Sequence, residues 1–322
     1  MVRFIDLFCG AGLGARGAVN AGAIPVLAID EWQLAIKSYE KNFPGVEAVN
    51  SKIERLSPKI YANKYKIDVL LASPECTSHS IARGAKAKCE KSQETAIKIL
   101  PWIKAFKPRW VVVENVTRMR LWSRHEEFKH KIERFGYEVS EFVLNAADFG
   151  APQARRRLFL LCDREGQPPR REDFNKYLTS CPISAKTIVD WNGGWKYSPL
   201  FSPNRAKATI ERAERAIASV GYGEPFIIVY YGTDGAGGWQ SLNVPLRTIT
   251  TLDRFALVIF KRGEYKMRML QPPELLRAMG ADEHILPVGN RRDKVKLCGN
   301  GVCSTVTKFI FKEIIRISKK QK

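Results

Sequence analysis

Arg3-Phe4-Ile5-Asp6-Leu7-Phe8-Cys9-Gly10-Ala11-Gly12-Leu13-Gly14 is the stretch whose reading decides the fold. An apolar, strand-like run ends in alternating glycines, and a helix-permissive stretch follows. Gly10, Gly12 and Gly14 can adopt positive φ and let a ligand approach the backbone. The first amides of the following helix point to the same place. This is the layout of a nucleotide-type ligand site at the carboxyl end of the first strand of an α/β sheet. The spacing is Gly-x-Gly-x-Gly, not the Gly-x-Gly-x-x-Gly of dinucleotide folds, so the turn alone does not name the ligand.

The next strand-like run, Pro25 to Ile29, ends in Asp30-Glu31-Trp32. An acidic residue about 20 positions past such a turn can hold a ribose diol. A Trp beside it can lie flat on a base. Glu31 with Trp32 therefore points to an adenosine-containing ligand. Gln33 to Phe43 reads as a helix closed by Pro44-Gly45. Further buried strands are expected at Ile67–Ala72 and Trp110–Val113, followed by Ser73-Pro74-Glu75-Cys76 and by Glu114-Asn115-Val116. Apolar β-branched runs separated by helices predict a parallel sheet. Gly10 and Gly12, Glu31, Cys76 and Glu114 each sit just past a strand's carboxyl end, so a doubly wound sheet brings them to one edge. Tyr137–Leu144 and Arg157–Cys162 are expected to close that sheet as an antiparallel pair, with Gln153-Ala154-Arg155-Arg156-Arg157 leading into the second.

Outward from this core, composition bounds the partners. The chain has 322 residues, a net charge of +20 and 45% hydrophobic residues, with a pI near 9.7. Such a charge favours a polyanion, and nucleic acid leads. Seven cysteines without a Cys-x-x-Cys indicate neither a disulfide framework nor a zinc site. They fit a reducing, intracellular compartment. No metal is expected. The opening residues enter a strand directly, which predicts no secretory leader. No apolar run approaches the roughly 18 residues that span a bilayer, so no membrane partner is expected.

From Asp163 the texture changes. Residues 166–245 are richer in Gly, Pro, Trp and Tyr, with short strand-like pieces such as Phe226–Tyr231. This reads as a small, irregular recognition region. Trp191, Trp195, Arg205 and Trp239 are candidate readers there. Ser304 to Ser318 reads as an amphipathic helix whose apolar face docks back on the first domain.

The ordered set of motifs resembles the DNA cytosine-5 methyltransferases over nearly the whole chain. Asp6-Leu7-Phe8-Cys9-Gly10-Ala11-Gly12 is similar to that family's S-adenosylmethionine motif, and Pro74-Glu75-Cys76 to its catalytic Pro-Cys loop. Glu114-Asn115-Val116, Gln153-Ala154-Arg155-Arg156-Arg157, Pro245 to Thr250, Arg268 to Gly280 and Gly299-Asn300-Gly301-Val302 resemble later motifs in the family's order. The resemblance implies an α/β fold, a doubly wound, mostly parallel sheet of the S-adenosylmethionine methyltransferase type, with a second, smaller target-recognition domain. It places the catalytic and cofactor-binding domain at 1–165, the recognition domain at 166–285 and a returning segment at 286–322.

What the resemblance implies for function is methyl transfer from S-adenosylmethionine to C5 of a flipped-out cytosine in duplex DNA, at a specific short sequence, through a covalent Cys76–C6 intermediate. Cys76 would be the nucleophile and Glu114 the proton or hydrogen-bond donor at N3. Arg155 would bond O2 and steady the Cys76 loop, with Arg157 supporting the same loop. Cofactor contacts carry over to Phe8, Gly10, Gly12, Leu13, Glu31, Trp32, Ile53, Pro74, Asn300 and Val302. DNA contacts carry over to Ser80, Gln153, Arg247 and Thr250. The implied setting is a monomer in a prokaryotic or viral cytoplasm, with a cognate restriction endonuclease as a candidate partner. The alternatives are a tRNA cytosine-5 methyltransferase, whose Cys-Phe-Thr signature is missing, and a catalytically weak or dead DNA-binding member. Departures from the family pattern are Glu75 for proline, Thr77 for Gln, His79 for Phe, Lys52 for Asp and Gly301 for Ser.

Overall fold

A computed structural model of the chain describes residues 1–74, 94–231 and 237–320. Cys76 and Ser80, together with Glu75, Thr77 and His79, lie outside the described residues. Eight strands come first: β1 (Arg3–Leu7), β2 (Ile24–Asp30), β3 (Glu47–Asn50), β4 (Val69–Ala72), β5 (Trp110–Asn115), β6 (Glu138–Asn145), β7 (Gln153–Ala154) and β8 (Arg156–Asp163). Seven of them form one sheet in the order β3-β2-β1-β4-β5-β8-β6. β1 to β5 run parallel, and β8 is wedged antiparallel between β5 and β6. The expected antiparallel closure at this edge is therefore present.

The strand pleat divides the core into two layers. Phe4, Ala28, Val69, Leu71 and Val112 face one side, with α1 (Leu13–Asn20) and α2 (Gln33–Asn42) packed there. Ile5, Leu7, Leu27, Leu70 and Val111 face the other, against α3 (Pro58–Lys64), α4 (Leu100–Phe106) and α5 (His125–Glu133). Continuous apolar runs such as Val111-Val112-Val113 are what burial on both faces requires. The chain is thus α/β with a doubly wound, mostly parallel sheet.

The region expected to be irregular holds more regular structure. A 14-residue helix, α6 (Lys207–Val220), packs Ala213 and Ala216 against a second, antiparallel sheet. That sheet is built from β9 (Ser198–Pro199), β10 (Phe226–Val229), β11 (Trp239–Ser241), β13 (Phe255–Lys261) and β14 (Glu264–Met269), in the order β11-β10-β13-β14-β9. β12 (Leu246–Arg247) pairs instead with β7. The run Glu211-Arg212-Ala213-Glu214-Arg215-Ala216 consists of strong helix formers, a local signal hidden by the region's average composition.

The chain then returns through α7 (Pro272–Ala278), α8 (Arg291–Asn300) and α9 (Ser304–Lys320). The Arg268 guanidinium and the Glu274 carboxylate, both buried, pair at 2.7 Å, and Glu274 also accepts from the amides of Asp190 and Gln271. α9 lies against α1: Phe311 meets Phe4 edge-on at 5.2 Å and Ser304 Oγ donates to the Leu13 carbonyl at 2.6 Å. A Cβ at Gly17 would come within 2.1 Å of the Ser304 oxygen, so the contact needs glycine there.

His284, just past α7, braces the glycine turn by donating from Nε2 to the Ala11 carbonyl at 2.6 Å. Burial pulls its pKa down from 6.5 to about 4. The unfolded chain then binds more protons between those values, so this contribution to stability is lost as pH falls through that window. Wild type and His284→Gln should converge in stability by about 3 kcal/mol between pH 7 and pH 4, read from denaturant midpoints at each pH. A difference that stays constant with pH would refute the assignment.

Candidate active site

The carboxyl ends of β1, β2, β4 and β5 open into a cleft of about 760 Å³. Its floor is set by the turn after β1. Phe8 and Gly10 adopt left-handed φ of 57° and 53°, and Gly12 one of 84°. For Phe8 this costs roughly 1–2 kcal/mol. A Cβ at Gly10 would meet no atom within 4 Å, so the backbone there is open to a ligand. Gly14, in contrast, is an ordinary helical residue of α1.

Asp30 holds this turn. Its carboxylate accepts from the Gly10 amide at 2.9 Å and from the Trp32 amide at 2.8 Å. Burial raises its pKa and those two hydrogen bonds oppose the rise. Asp6, behind it in β1, is pushed well up by burial and then by the Asp30 charge. Asp30 ends β2, directly before Glu31 and Trp32, so its place beside the turn is visible in the sequence.

Beside the turn, Glu31 and Trp32 face the cleft with Ile53. Lys52, at the position where an Asp was expected, reaches Glu31 Oε2 at 3.3 Å. Both side chains are about half exposed, so the pair contributes little to stability. Lys296 from α8 sets its Nζ 4.5 Å from the centre of the Trp32 ring, a cation–π contact.

Across the cleft stands Glu114, the penultimate residue of β5 and nearly buried. Burial raises its pKa; Arg157 and then Arg155 oppose the rise. Arg157 Nε lies 3.2 Å from Glu114 Oε1. The contact is an ion pair without hydrogen-bond alignment, since that oxygen accepts no hydrogen bond. Asn115 donates from Nδ2 to the Pro74 carbonyl at 3.3 Å, fixing the last described residue before Cys76.

Arg155 does something other than expected. Nη1 donates to the Ile249 carbonyl at 2.8 Å, and Nη2 donates to the Gly299 and Gly301 carbonyls, each at 2.9 Å. Burial and the Arg157 charge depress its pKa, but three acceptors keep it a guanidinium. It is a staple, and Arg157 is the arginine beside Glu114.

The cleft thus gathers Phe8, Gly10, Glu31, Trp32, Ile53, Pro74, Glu114, Arg155, Arg157, Thr250 and Asn300. Gly12, Leu13 and Val302 do not line it; Leu13 and Val302 are buried behind the turn. Arg247, half-buried in β12, is also outside its lining. Gln153, expected to contact DNA, is fully buried: it donates to the Ala278 carbonyl and accepts from the Ile249 amide. That expectation is corrected, because both ends of its amide are spent inside the protein. Among the candidate readers, Arg205 donates to the Pro199 and Leu200 carbonyls, and Trp195 to Asp190 Oδ2. Trp191 is exposed and Trp239 forms part of β11.

Residues 2–316 match the family described as C-5 cytosine-specific DNA methylase. A putative type II methyltransferase of Methanocaldococcus jannaschii is 25% identical, covering 99% of this chain and 98% of its own. The type II methyltransferase M.XorII of Xanthomonas oryzae is 31% identical over 69% of this chain and 56% of its own. M.HgiDI of Herpetosiphon aurantiacus is 30% identical over 51% of this chain, which matches only about half of that relative's length (53%). Among solved structures, a putative DNA modification methyltransferase from an Escherichia coli prophage superposes with a TM-score of 0.71 at 17% identity, covering 99% of this chain and 100% of that one. The Dnmt2 methyltransferase of S. pombe gives 0.70 at 16%, covering 98% and 99%. These two likenesses concern the fold.

The two arginines should separate in urea unfolding. Arg155→Ala leaves buried carbonyls without donors and should cost roughly 3–5 kcal/mol. Arg157→Met should cost under about 1 kcal/mol, because Glu114 can take up a proton when its partner is removed. Equal losses would contradict the staple.

Proposed function

Because the chain belongs to the C-5 cytosine-specific DNA methylase family, we propose that it methylates C5 of a cytosine in duplex DNA, using S-adenosylmethionine. The observation that carries this reading is one cleft with an adenosine-type wall and a proton-donor wall. Gly10, Glu31 and Trp32 form the first, and Glu114 with Arg157 the second. A volume of about 760 Å³ falls within the usual range for small-molecule sites.

The residues present fit S-adenosylmethionine. The bare backbone at Gly10 leaves room for its amino-acid part, Glu31 offers oxygens to the ribose hydroxyls, and Trp32 offers a face to adenine. When bound, the cofactor supplies an electrophilic methyl group for C5. Neither wall can reach a base inside a duplex, so the target cytosine leaves the stack at a cost of a few kcal/mol.

Cys76 follows Pro74, which lines the cleft, by two residues. Its thiolate forms a bond to C6, and the C5–C6 π pair moves to C5, which becomes nucleophilic. Glu114, whose proton affinity burial raises, donates in its protonated form at N3 and relieves the charge on the ring. Arg157, beside it, is placed to bond O2. Departure of the C5 proton to a base then returns the electron pair and expels the Cys76 sulfur.

Residues 1–165 act as the catalytic and cofactor-binding domain, 166–285 as the target-recognition domain and 286–322 as the returning segment. The charge of +20 supplies phosphate contacts, and Arg247 and Thr250 are assigned to contact DNA. The type II relatives favour a restriction–modification setting in a cytoplasm, with a cognate endonuclease as partner and the enzyme acting as a monomer. Among the described residues, no helix is long and apolar enough to cross a membrane.

Incubation with cofactor and duplex DNA containing 5-fluorocytosine should trap a covalent adduct in wild type and none in Cys76→Ser. Trapping on RNA alone would move the activity to that substrate. Glu114→Gln should lower turnover by roughly 10²–10⁴. In wild type the rate should fall as pH rises through the elevated Glu114 pKa, since only the protonated carboxyl donates. That alkaline limb should vanish in the Gln variant; its persistence would exclude Glu114 as the donor.

A further inference from the structure

Leu252 stands at the rim of the cleft and is 58% exposed. It follows directly on Thr250 and Thr251, which line the cleft. Among the described residues it belongs to none of the packed apolar clusters. A single exposed leucine is ordinary on a protein surface. What sets this one apart is how its backbone is held.

Residues 248–254 form neither helix nor strand, yet they are clamped along their length. The Ile249 amide donates to Gln153, and the Ile249 carbonyl accepts from Arg155. Thr250 Oγ1 accepts from the Leu252 amide at 3.3 Å and donates to the Leu252 carbonyl at 3.2 Å, which closes a tight turn. Beyond the turn, Asp253 pairs with Arg291 of α8, and Arg254 Nη1 donates to the Tyr230 carbonyl at 2.6 Å. α8 passes so close that a Cβ at Gly299 would come within 2.3 Å of the Thr250 carbonyl oxygen. An apolar side chain is thus held out at the rim by a backbone fixed on both sides.

We infer that Leu252 is a wedge that enters the base stack of duplex DNA and holds the target cytosine in its extruded position. The inference rests on the methylation reading above and assigns a residue to a step that reading requires. Extrusion leaves a gap in the stack, with the faces of the neighbouring bases open to water. Apolar side chains, leucine among them, fill such gaps between base steps. Leucine carries no polar group to compete for the orphaned partner base, and alanine lacks its reach. The clamps matter because a loop that had to be ordered on binding would cost affinity. Arg155, which bonds Ile249, also opposes the rise in the Glu114 pKa, so this segment runs beside the wall that takes the base.

The rate of covalent trapping on duplex DNA containing 5-fluorocytosine, with S-adenosylmethionine present, tests the wedge. Leu252→Ala should trap at least tenfold more slowly than wild type on a fully paired duplex. When the trapped cytosine instead faces an abasic position, extrusion costs less, and the deficit should shrink below threefold. Leu252→Met keeps the reach and should trap within threefold of wild type on the paired duplex. Both variants should bind S-adenosylhomocysteine as wild type does, since Leu252 lies outside the cleft lining. Equal trapping by Leu252→Ala and wild type, a deficit just as large opposite the abasic position, no recovery in Leu252→Met, or weakened S-adenosylhomocysteine binding would each overturn the inference. No adduct with wild type on any duplex would instead sink the methylation reading, and the wedge with it.

Discussion

Arg155, between β7 and β8, reaches the carbonyls of Ile249, Gly299 and Gly301 from a position with almost no exposure to solvent. The three acceptors belong to the segment after β12 and to the junction between α8 and α9. Both segments supply one side of the cleft, through Thr248 to Thr251 and through Leu297, Gly299 and Asn300. The strands supply the other side. A sheet edge alone would be a shelf; the staple converts it into a cavity by pinning two late segments over it. Arg is suited to this because its planar fork addresses several acceptors at once and keeps its charge.

With the walls fixed, the chemistry follows from where each carboxylate lies. Asp30 is spent on two amides and shapes the turn. Glu31 stays half exposed and shares its charge with Lys52, so it remains free to exchange partners. Glu114 is buried beside Arg157 without being locked in a hydrogen bond. Burial lifts its proton affinity while two arginines limit the rise. That balance suits a group that must hold a proton and still release its share of it to a ring nitrogen. One fold edge therefore holds three carboxylates in three different electrostatic states.

Most of the sheet was legible because its signals are local. Continuous apolar runs mark β1, β4 and β5, and the glycine turn with Asp30-Glu31-Trp32 marks the cleft floor. The antiparallel pairing of β6 with β8 matches the expected pair, while the position of β8 between β5 and β6 fits its continuous apolar run, buried from Leu158 to Asp163. The less legible parts depend on long-range contacts. Nothing near Arg155 or Gln153 announces that their partners lie about a hundred residues away, so both read as surface or ligand groups. Arg157, one strand step further, was expected only to support a loop; its place beside Glu114 depends on the β5–β8 register, which pairs Glu114 with Phe159. α6 was missed for another reason: its helix formers sit within a region rich in Gly and Pro.

The glycine that stands at 301 shows how these constraints meet. A Cβ there would come within 2.4 Å of the Leu13 side chain, and the Gly301 carbonyl is one of the three that Arg155 holds. Leu13 is the first residue of α1, and its carbonyl is capped by Ser304 at the start of α9. A larger residue at 301 would push α1 or the α8–α9 junction outward. The first shift disturbs the glycine turn, and the second pulls the carbonyl from Arg155. A serine here therefore requires a wider gap between α1 and the junction than this chain has. The substitution reads as a packing adjustment to Leu13, made without giving up the backbone oxygen that the staple needs.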